Sequence, residues 1–249
     1  MTRRRWIADE LTENSAALLG EHATHLARVL RAKVGQEFDI TTGAEIRVGR
    51  ITFISDNRVE FALGERRGLK ANLPGVTSKI TLVLAIFKFD RMEWAIEKCT
   101  EVGVARILPV IARRSDVHLA AAAGKRHERW QRIIRQAAEQ SRRSSPPEIA
   151  LPVKLKDLAA TLPTGASTRI VLAESLAESE EAPRLGEVLQ SCSPEREVVL
   201  AVGPEGGWAA EELAWFHKMG WTAASLGSTI LRAETAAIVA TALALQGLR

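Results

Sequence analysis

The sequence predicts an α/β chain in two parts, a small β-rich domain followed by a largely parallel sheet with helices between its strands. Three observations carry this. Short alternating or apolar runs separated by turn-forming residues fill the N-terminal part. From Ile80 onward, apolar β-branched runs alternate with helical patterns, the signature of strands joined by helical crossovers. Between the two lies Leu69 to Ser78, a linker-like segment containing Asn72, Pro74 and Gly75.

Taken in order, the first part predicts a helix over 21–30 and strands over 37–41, 45–54 and 58–63. Turns are expected at Thr42-Gly43-Ala44 and Ser55-Asp56-Asn57. The domains expected are therefore 1–72 and 73–249. The second part predicts a strand over 80–87, a helix over 91–102 stopped by Gly103, a strand over 106–111 and a helix over 125–143. Further strands are expected over 169–173, 198–202 and 222–226. The continuous apolar run Val198 to Val202 has the pattern of a strand covered on both faces. A helical pattern over 209–219 follows, with Glu211 and Glu212 in its first turn, where the helix dipole favours negative charge.

Composition narrows the class. With 249 residues and 46% hydrophobic content, the chain can bury a substantial core. No apolar run reaches the roughly 18 residues of a membrane helix, and an acidic segment, not an apolar one, follows the basic start. A cytoplasmic location with no membrane partner is expected. Cys99 and Cys192 form no CxxC pair, so neither a zinc site nor a disulfide framework is indicated, and no metal is expected. The net charge of +4 conceals an asymmetry: residues 88–143 carry 13 Lys/Arg against 7 Asp/Glu, whereas 144–249 carry 8 against 13. Within the basic stretch, Lys125, Arg126, Arg129, Arg132 and Arg135 recur at helical spacing. Trp130, Ile133, Ile134, Ala137 and Ala138 supply the apolar stripe. Such a face suits a phosphate backbone, although a solvated helix surface has the same pattern.

The strand 198–202 is stopped by Gly203-Pro204-Glu205-Gly206-Gly207. Three glycines in five residues let main-chain groups approach a ligand without intervening side chains, and they also suit an ordinary strand-to-helix turn. The spacing is neither a GxGxxG dinucleotide fingerprint nor a P-loop.

This glycine loop is followed by Leu226-Gly227-Ser228-Thr229-Ile230-Leu231-Arg232-Ala233-Glu234-Thr235-Ala236. The pair closely resembles the C-terminal signature of the SPOUT class of knotted RNA methyltransferases, and within it the ribosomal RNA small subunit methyltransferase E family. Similar family-like runs are His25 to Arg31, Arg91 to Lys98, Thr100 to Gly103, Arg113-Arg114-Ser115 and Trp130 to Ser141, so the resemblance spans nearly the whole chain. It departs at Phe89, where the family has glycine, and at Ser228-Thr229, which replace a proline-containing pair.

The resemblance implies a SPOUT-type parallel sheet with a C-terminal trefoil knot, preceded by a small PUA-like β-barrel domain, and a homodimer. It implies methylation of uridine N3 in 16S rRNA of the small ribosomal subunit, with S-adenosyl-L-methionine as cofactor. The cofactor residues it implies are Leu200, Val202, Gly203, Pro204, Glu205, Gly206, Gly207, Leu226, Gly227, Ile230, Leu231 and Arg232. RNA-contact candidates are Arg28, Arg31, Lys88, Arg91, Arg113, Arg114, Arg142 and Arg143. A ribose 2′-O-methyltransferase of the same class and a non-catalytic RNA-binding assembly factor are the alternatives.

The chemistry singles out a few side chains. Uracil N3 must lose its proton before it attacks, and the anion spreads onto O2 and O4, which a fixed guanidinium would stabilise. Arg232 is the first candidate, with an ion pair to Glu234 or Glu205 as the alternative role. Glu205 or Glu234 would accept the proton. Glu139 either shapes a pocket or is a helix surface residue. With no tyrosine in the chain, a phenolic base is excluded, and His217 occupies a polar helix position. Trp208, beside the glycine loop, is the tryptophan placed for a pocket role.

Overall fold

A computed structural model describes residues 5–42, 45–69, 79–143, 145–173, 183–193 and 196–248. The chain divides into two compact units, Met1–Val76 with Arg135–Pro146, and Thr77–Ile134 with Pro147–Arg249. Gly43 and Ala44 of the expected turn lie outside the described residues, as do most of the expected linker and the 72/73 boundary.

In the first unit, β1 (Arg5–Ile7), β2 (Glu10–Leu11), β3 (Ser15–Leu19), β4 (Glu37–Thr41), β5 (Glu45–Ile54) and β6 (Arg58–Leu69) form one sheet in the order β1-β4-β5-β6-β3-β2. Among the described residues of this unit, only β1 and β4 pair in parallel. Trp6, Leu18, Leu26, Ile40, Ile51 and Phe61 fill its core. β6 continues past the expected end at Leu63 because β5 pairs with it as far as Glu45 opposite Leu69, a tertiary preference that local pattern does not carry. The expected helix over 21–30 is present in two geometries, α1 (Gly20–Thr24) and a π-helical turn over His25–Val29, and Arg31 at φ 49° ends it.

A charged cluster is partly buried in this unit. Asp9 accepts hydrogen bonds from the Leu19 N–H at 2.9 Å and the Arg135 guanidinium at 2.5 Å, with His22 Nδ1 at 3.9 Å. Glu139 is 1% exposed, and its Oε1 accepts the Ile7 N–H at 3.4 Å, so it is neither a surface residue nor part of the glycine-loop region. Burial alone would raise the Asp9 pKa, but the His22, Leu19 and Arg135 hydrogen bonds outweigh it and hold the carboxyl at about 2. A folded pKa below the unfolded value means that ionised Asp9 stabilises the native state above about pH 4 and loses that contribution as pH falls toward 2. Asp9→Asn is therefore expected to lower the thermal midpoint at pH 7, and to narrow the gap to wild type progressively between about pH 4 and pH 2. A gap that stayed constant with pH would show that the carboxylate charge is not what stabilises the cluster.

The second unit carries the parallel sheet: β7 (Ile80–Ala85), β8 (Arg106–Ile111), β9 (Glu148–Ile149), β10 (Val153–Lys154), β11 (Ser167–Leu172), β12 (Glu197–Val202) and β13 (Thr222–Ala224). Their order is β10-β8-β7-β12-β11-β13, with β9 also on β8, and every pairing is parallel. Both faces are covered. Ile80, Leu82, Leu84, Val198, Leu200 and Val202 pack toward residues of α2 (Phe89–Val102), α3 (Val117–Gln140), α4 (Leu185–Gln190) and α6 (Ala233–Gly247). Their alternates Val83, Ala85, Val199 and Ala201 pack with Trp208, Phe216 and Trp221 around α5 (Ala210–Lys218). This explains the unbroken apolar run in β12.

Helix boundaries differ from expectation for local reasons. α3 begins at Val117, not Lys125, because Asp116 Oδ1 accepts the N–H groups of His118 at 2.8 Å and Leu119 at 3.1 Å, and an alanine run then propagates the helix. α2 begins at Phe89 and ends at Gly103, whose φ of 132° suits glycine. α6 packs against α2, with Thr241 meeting Cys99, and its buried Ala237, Ala240 and Ala244 are small residues. There burial pushes the Cys99 thiol up to about 12, despite its Thr241 contact. No helix among the described residues is long and apolar enough to cross a membrane.

Candidate active site

The parallel sheet ends in a cleft of about 540 Å³, counted out to its open mouth. It lies at the carboxyl ends of three neighbouring strands, where open α/β sheets bind ligands. β11 contributes Leu172 and Ala173, β12 contributes Val202 and Gly203, and β13 contributes Ala224 and Ser225. The segment from Leu226 to Leu231 and the start of α6 close the other side, through Leu226, Gly227, Ile230, Leu231, Ala233 and Ala236.

Two glycines are required here. Gly227 has φ 128°, where other residues are strained. Gly203 lies against the Trp208 indole, and a Cβ at that position would stand 3.2 Å from Trp208 Nε1. Trp208 is 6% exposed, lines the cleft, and packs edge-on against Phe216 with ring centroids 4.9 Å apart. The walls are thus main chain, aliphatic side chains, one indole and the hydroxyl-bearing Ser225 and Thr229.

Of the residues implied as cofactor contacts, Val202, Gly203, Gly207, Leu226, Gly227, Ile230 and Leu231 line this cleft. Leu200 is fully buried deeper in β12, and Pro204 is also buried. Gly206 is exposed, and its carbonyl accepts a hydrogen bond from Arg114 Nη1 at 2.7 Å. Arg232 is exposed at the N-cap of α6, directly after Leu231, and its side chain caps nothing. Its alternative role as ion-pair partner falls to another arginine: Arg91 Nη1 donates to Glu205 Oε1 at 2.7 Å, and its Nε lies 3.9 Å from Glu234 Oε1. Glu234 is 5% exposed, and its Oε2 has no hydrogen-bond partner among the described residues.

Several basic candidates are committed to partners. Arg113 reaches Glu211 at 2.8 Å while its N–H donates to Glu212, a carboxylate that also accepts the Ala209 N–H at the start of α5. On α3, Arg126 and Arg129 both pair with Glu93, at 3.5 and 2.8 Å. The basic face read from that helix is therefore partly neutralised. Phe89, the departure from the family pattern, packs against Trp130 at 6.2 Å with the Arg126 guanidinium 4.7 Å above its ring. Lys88 is exposed at the N-cap of α2. In the first unit, Arg28 forms a two-pronged contact with Asp56 at 3.0 and 2.6 Å. Arg31 and Arg142 are exposed at positive φ, and burial lowers the Arg143 pKa.

Trp208, read as the tryptophan placed for a pocket role, lines the cleft, and Leu172, Ala173, Ala224, Ser225, Thr229, Ala233 and Ala236 line it without having been read as cofactor contacts. For Leu172, Ala173, Ala224 and Ser225, the missing signal was strand order, which places β11 between β12 and β13.

Residues 75–245 match the family model of the RNA methyltransferase domain, and residues 18–63 match that of the RNA methyltransferase PUA domain. Ribosomal RNA small subunit methyltransferase E of Rickettsia conorii is 32% identical over 243 residues, spanning 96% of this chain and 93% of the relative. The chain belongs to the ribosomal RNA small subunit methyltransferase E family. The family's Mycobacterium tuberculosis member is 31% identical over 96% of this chain and 90% of its own. Among solved structures, the Neisseria gonorrhoeae family member bound to S-adenosyl methionine superposes with a TM-score of 0.80 at 29% identity, covering 97% of this chain and 96% of that one. A methyltransferase from Legionella pneumophila in complex with the same cofactor gives 0.81 at 28% identity, covering 99% and 98%. In this methyltransferase E chain, the first unit carries the PUA-like domain and the second the parallel α/β catalytic domain. A catalytic domain of this family sets aside the non-catalytic alternative.

Proposed function

We propose that the chain transfers the methyl group of S-adenosyl-L-methionine to N3 of a uridine in 16S rRNA of the small ribosomal subunit. The observation that carries this reading is the cleft at the ends of β11, β12 and β13. Its glycine backbone and largely aliphatic walls suit a flat heteroaromatic ring and a bent sulfonium-bearing chain. Gly203 supports the fit, since a side chain there would meet Trp208.

When bound, the cofactor supplies an already activated sulfonium methyl, so the protein's task is placement and deprotonation. Val202, Leu226, Ile230 and Leu231 hold and orient the ligand and exclude water. Arg232, exposed beside Leu231, stabilises the charge that develops on the uracil oxygens when N3 loses its proton. Glu205 and Glu234 are the carboxylates available to take that proton. The Glu205 carboxylate is the more exposed of the two but is held in the 2.7 Å pair with Arg91, whereas Glu234 Oε2 is buried without a hydrogen-bond partner among the described residues, so either must shift to reach the base.

N3 lies on the Watson–Crick edge, so the target uridine is presented unpaired. Arg31, Lys88 and Arg142, all exposed, supply phosphate contacts that position the RNA, and the exposed Arg28 and Arg113 join them by exchanging Asp56 and Glu211 for a phosphate. An rRNA substrate also supports a cytoplasmic location.

The trefoil knot belongs to the same reading. It is supported by the path of the chain, which leaves β13 at the sheet edge and returns to α6, packed on α2, β7 and β12. A homodimer is supported by the apolar residues on every side of α6, with Ile238, Val239 and Leu243 only partly buried, and by Trp94 and Ile230, which are 47% and 69% exposed. Sedimentation equilibrium is expected to give twice the 27.2 kDa chain mass, and Ile230→Asp to shift it toward the monomer.

The reaction is tested by incubating the protein with unmodified small ribosomal subunits and methyl-labelled S-adenosylmethionine, digesting the RNA and identifying the labelled nucleoside by mass spectrometry. N3-methyluridine is the expected product. A 2′-O-methylated nucleoside, or no label from subunits and free 16S rRNA alike, overturns the reading.

A further inference from the structure

We infer that Arg91 and Arg114 are positioning residues, two arms of a clamp that holds the Gly203–Gly207 loop in the shape that binds S-adenosylmethionine, and not contacts to RNA. The inference rests on the cleft being the cofactor site. It starts from a difficulty in the loop itself. Three glycines in five residues give a segment with a large conformational entropy, and a loop that is only partly in its binding shape weakens affinity in proportion. Something outside the loop has to hold it.

The arms grip consecutive residues. Arg91 Nη1 meets the Glu205 carboxylate at 2.7 Å, and Arg114 Nη1 meets the Gly206 carbonyl at 2.7 Å. The Arg114 stem also packs on the bare face of Gly206, where a Cβ would stand 3.6 Å from its Cδ. Both arms are mounted on ordered structure. Arg91 is in the first turn of α2, and its Nε lies 3.9 Å from Glu234, so one guanidinium faces both the glycine loop and the first turn of α6. Arg114 leaves a turn after β8 in which the Ser115 N–H bonds Ala112 O at 3.1 Å and Ser115 Oγ donates to Ile86 O at 2.8 Å. The adjacent Arg113 N–H is tied to Glu212 of α5 at 2.8 Å. Guanidinium suits this work because its planar fork fixes direction as well as charge.

The test measures equilibrium binding of S-adenosylmethionine by calorimetry, and of a 16S rRNA fragment by filter retention, for wild type, Arg91→Met, Arg114→Met, Glu205→Gln and the Arg91→Met/Glu205→Gln pair. Methionine keeps an unbranched stem and removes the donors. Each single change is expected to raise the cofactor Kd about fivefold, within the range for residues sharing a contact. The paired change should be no worse than either single one, and RNA affinity should move less than twofold. Arg91→Lys is expected to keep part of the cofactor affinity that Arg91→Met loses. Glu205→Gln reads the Arg91 arm from an exposed side chain, so it separates loss of the clamp from any disturbance of α2. Unchanged cofactor Kd with weakened RNA binding would make these arginines RNA contacts and overturn the clamp. Wild-type protein with no affinity for S-adenosylmethionine would instead overturn the cofactor reading, and the clamp with it.

Discussion

Arg232→Ala is expected to lower the rate of N3-methyluridine formation by roughly 100- to 1000-fold, the usual effect of deleting one donor that stabilises developing charge. The cofactor Kd should change little. Arg232 is exposed, its side chain does not line the cleft, and the residue caps α6 through backbone geometry (φ −62°, ψ 150°) with no side-chain bond to lose. Alanine therefore removes the guanidinium without removing the helix. A second signature follows from the chemistry. If the guanidinium acts by favouring the N3 anion, its absence leaves uracil harder to deprotonate, and raising the pH should recover part of the lost rate. A variant whose pH–rate profile keeps the wild-type shape would mean that Arg232 only orients the RNA. A variant that loses cofactor binding in parallel with rate would return Arg232 to the cofactor contacts, the other role its sequence position suggests.

How much of this was legible in the sequence depends on how local each feature is. β4, β5 and β8 fall where pattern places them, because each is a run bounded by its own turns. The start of α3 was missed through one residue, Asp116, whose side chain caps the helix before the amphipathic pattern begins. Half of the cleft was legible because Val202 to Gly207 and Leu226 to Leu231 are contiguous motifs. The other half was not: Leu172 and Ala173 belong to it only because β11 lies between β12 and β13, and sequence period carries no strand order. The charges were hardest to read. Basic spacing on α3 was visible, but its partner Glu93 sits on α2, and the same tertiary pairing assigns Arg91 to Glu205. A charge pattern shows where arginines are and is silent on which are already neutralised.

The glycine at the end of β12 gives the second large expected effect. Gly203→Val should raise the Kd for S-adenosylmethionine by roughly 5- to 150-fold while leaving the fold intact. The new Cβ would stand 3.2–3.3 Å from three atoms of the Trp208 indole, closer than ordinary packing allows. Trp208 has little freedom to retreat, since it is buried and packed edge-on against Phe216, which is itself packed against Trp221 at 4.9 Å. The two γ-carbons of valine must then press on the indole or intrude on the cleft that Gly203 and Trp208 both line. Overpacking of this kind costs about 1–3 kcal/mol, and tenfold in affinity corresponds to about 1.4 kcal/mol, which sets the expected range. Gly203→Ala separates the two sources of the loss. It adds the Cβ contact without the branches, so a small change in affinity with alanine and a large one with valine would place the obstruction in the ligand space. Equal losses would mean that the Trp208 contact alone distorts the loop. Valine binding as tightly as wild type would show that the cofactor does not lie against Gly203, and the cleft would have to be read with its ligand elsewhere.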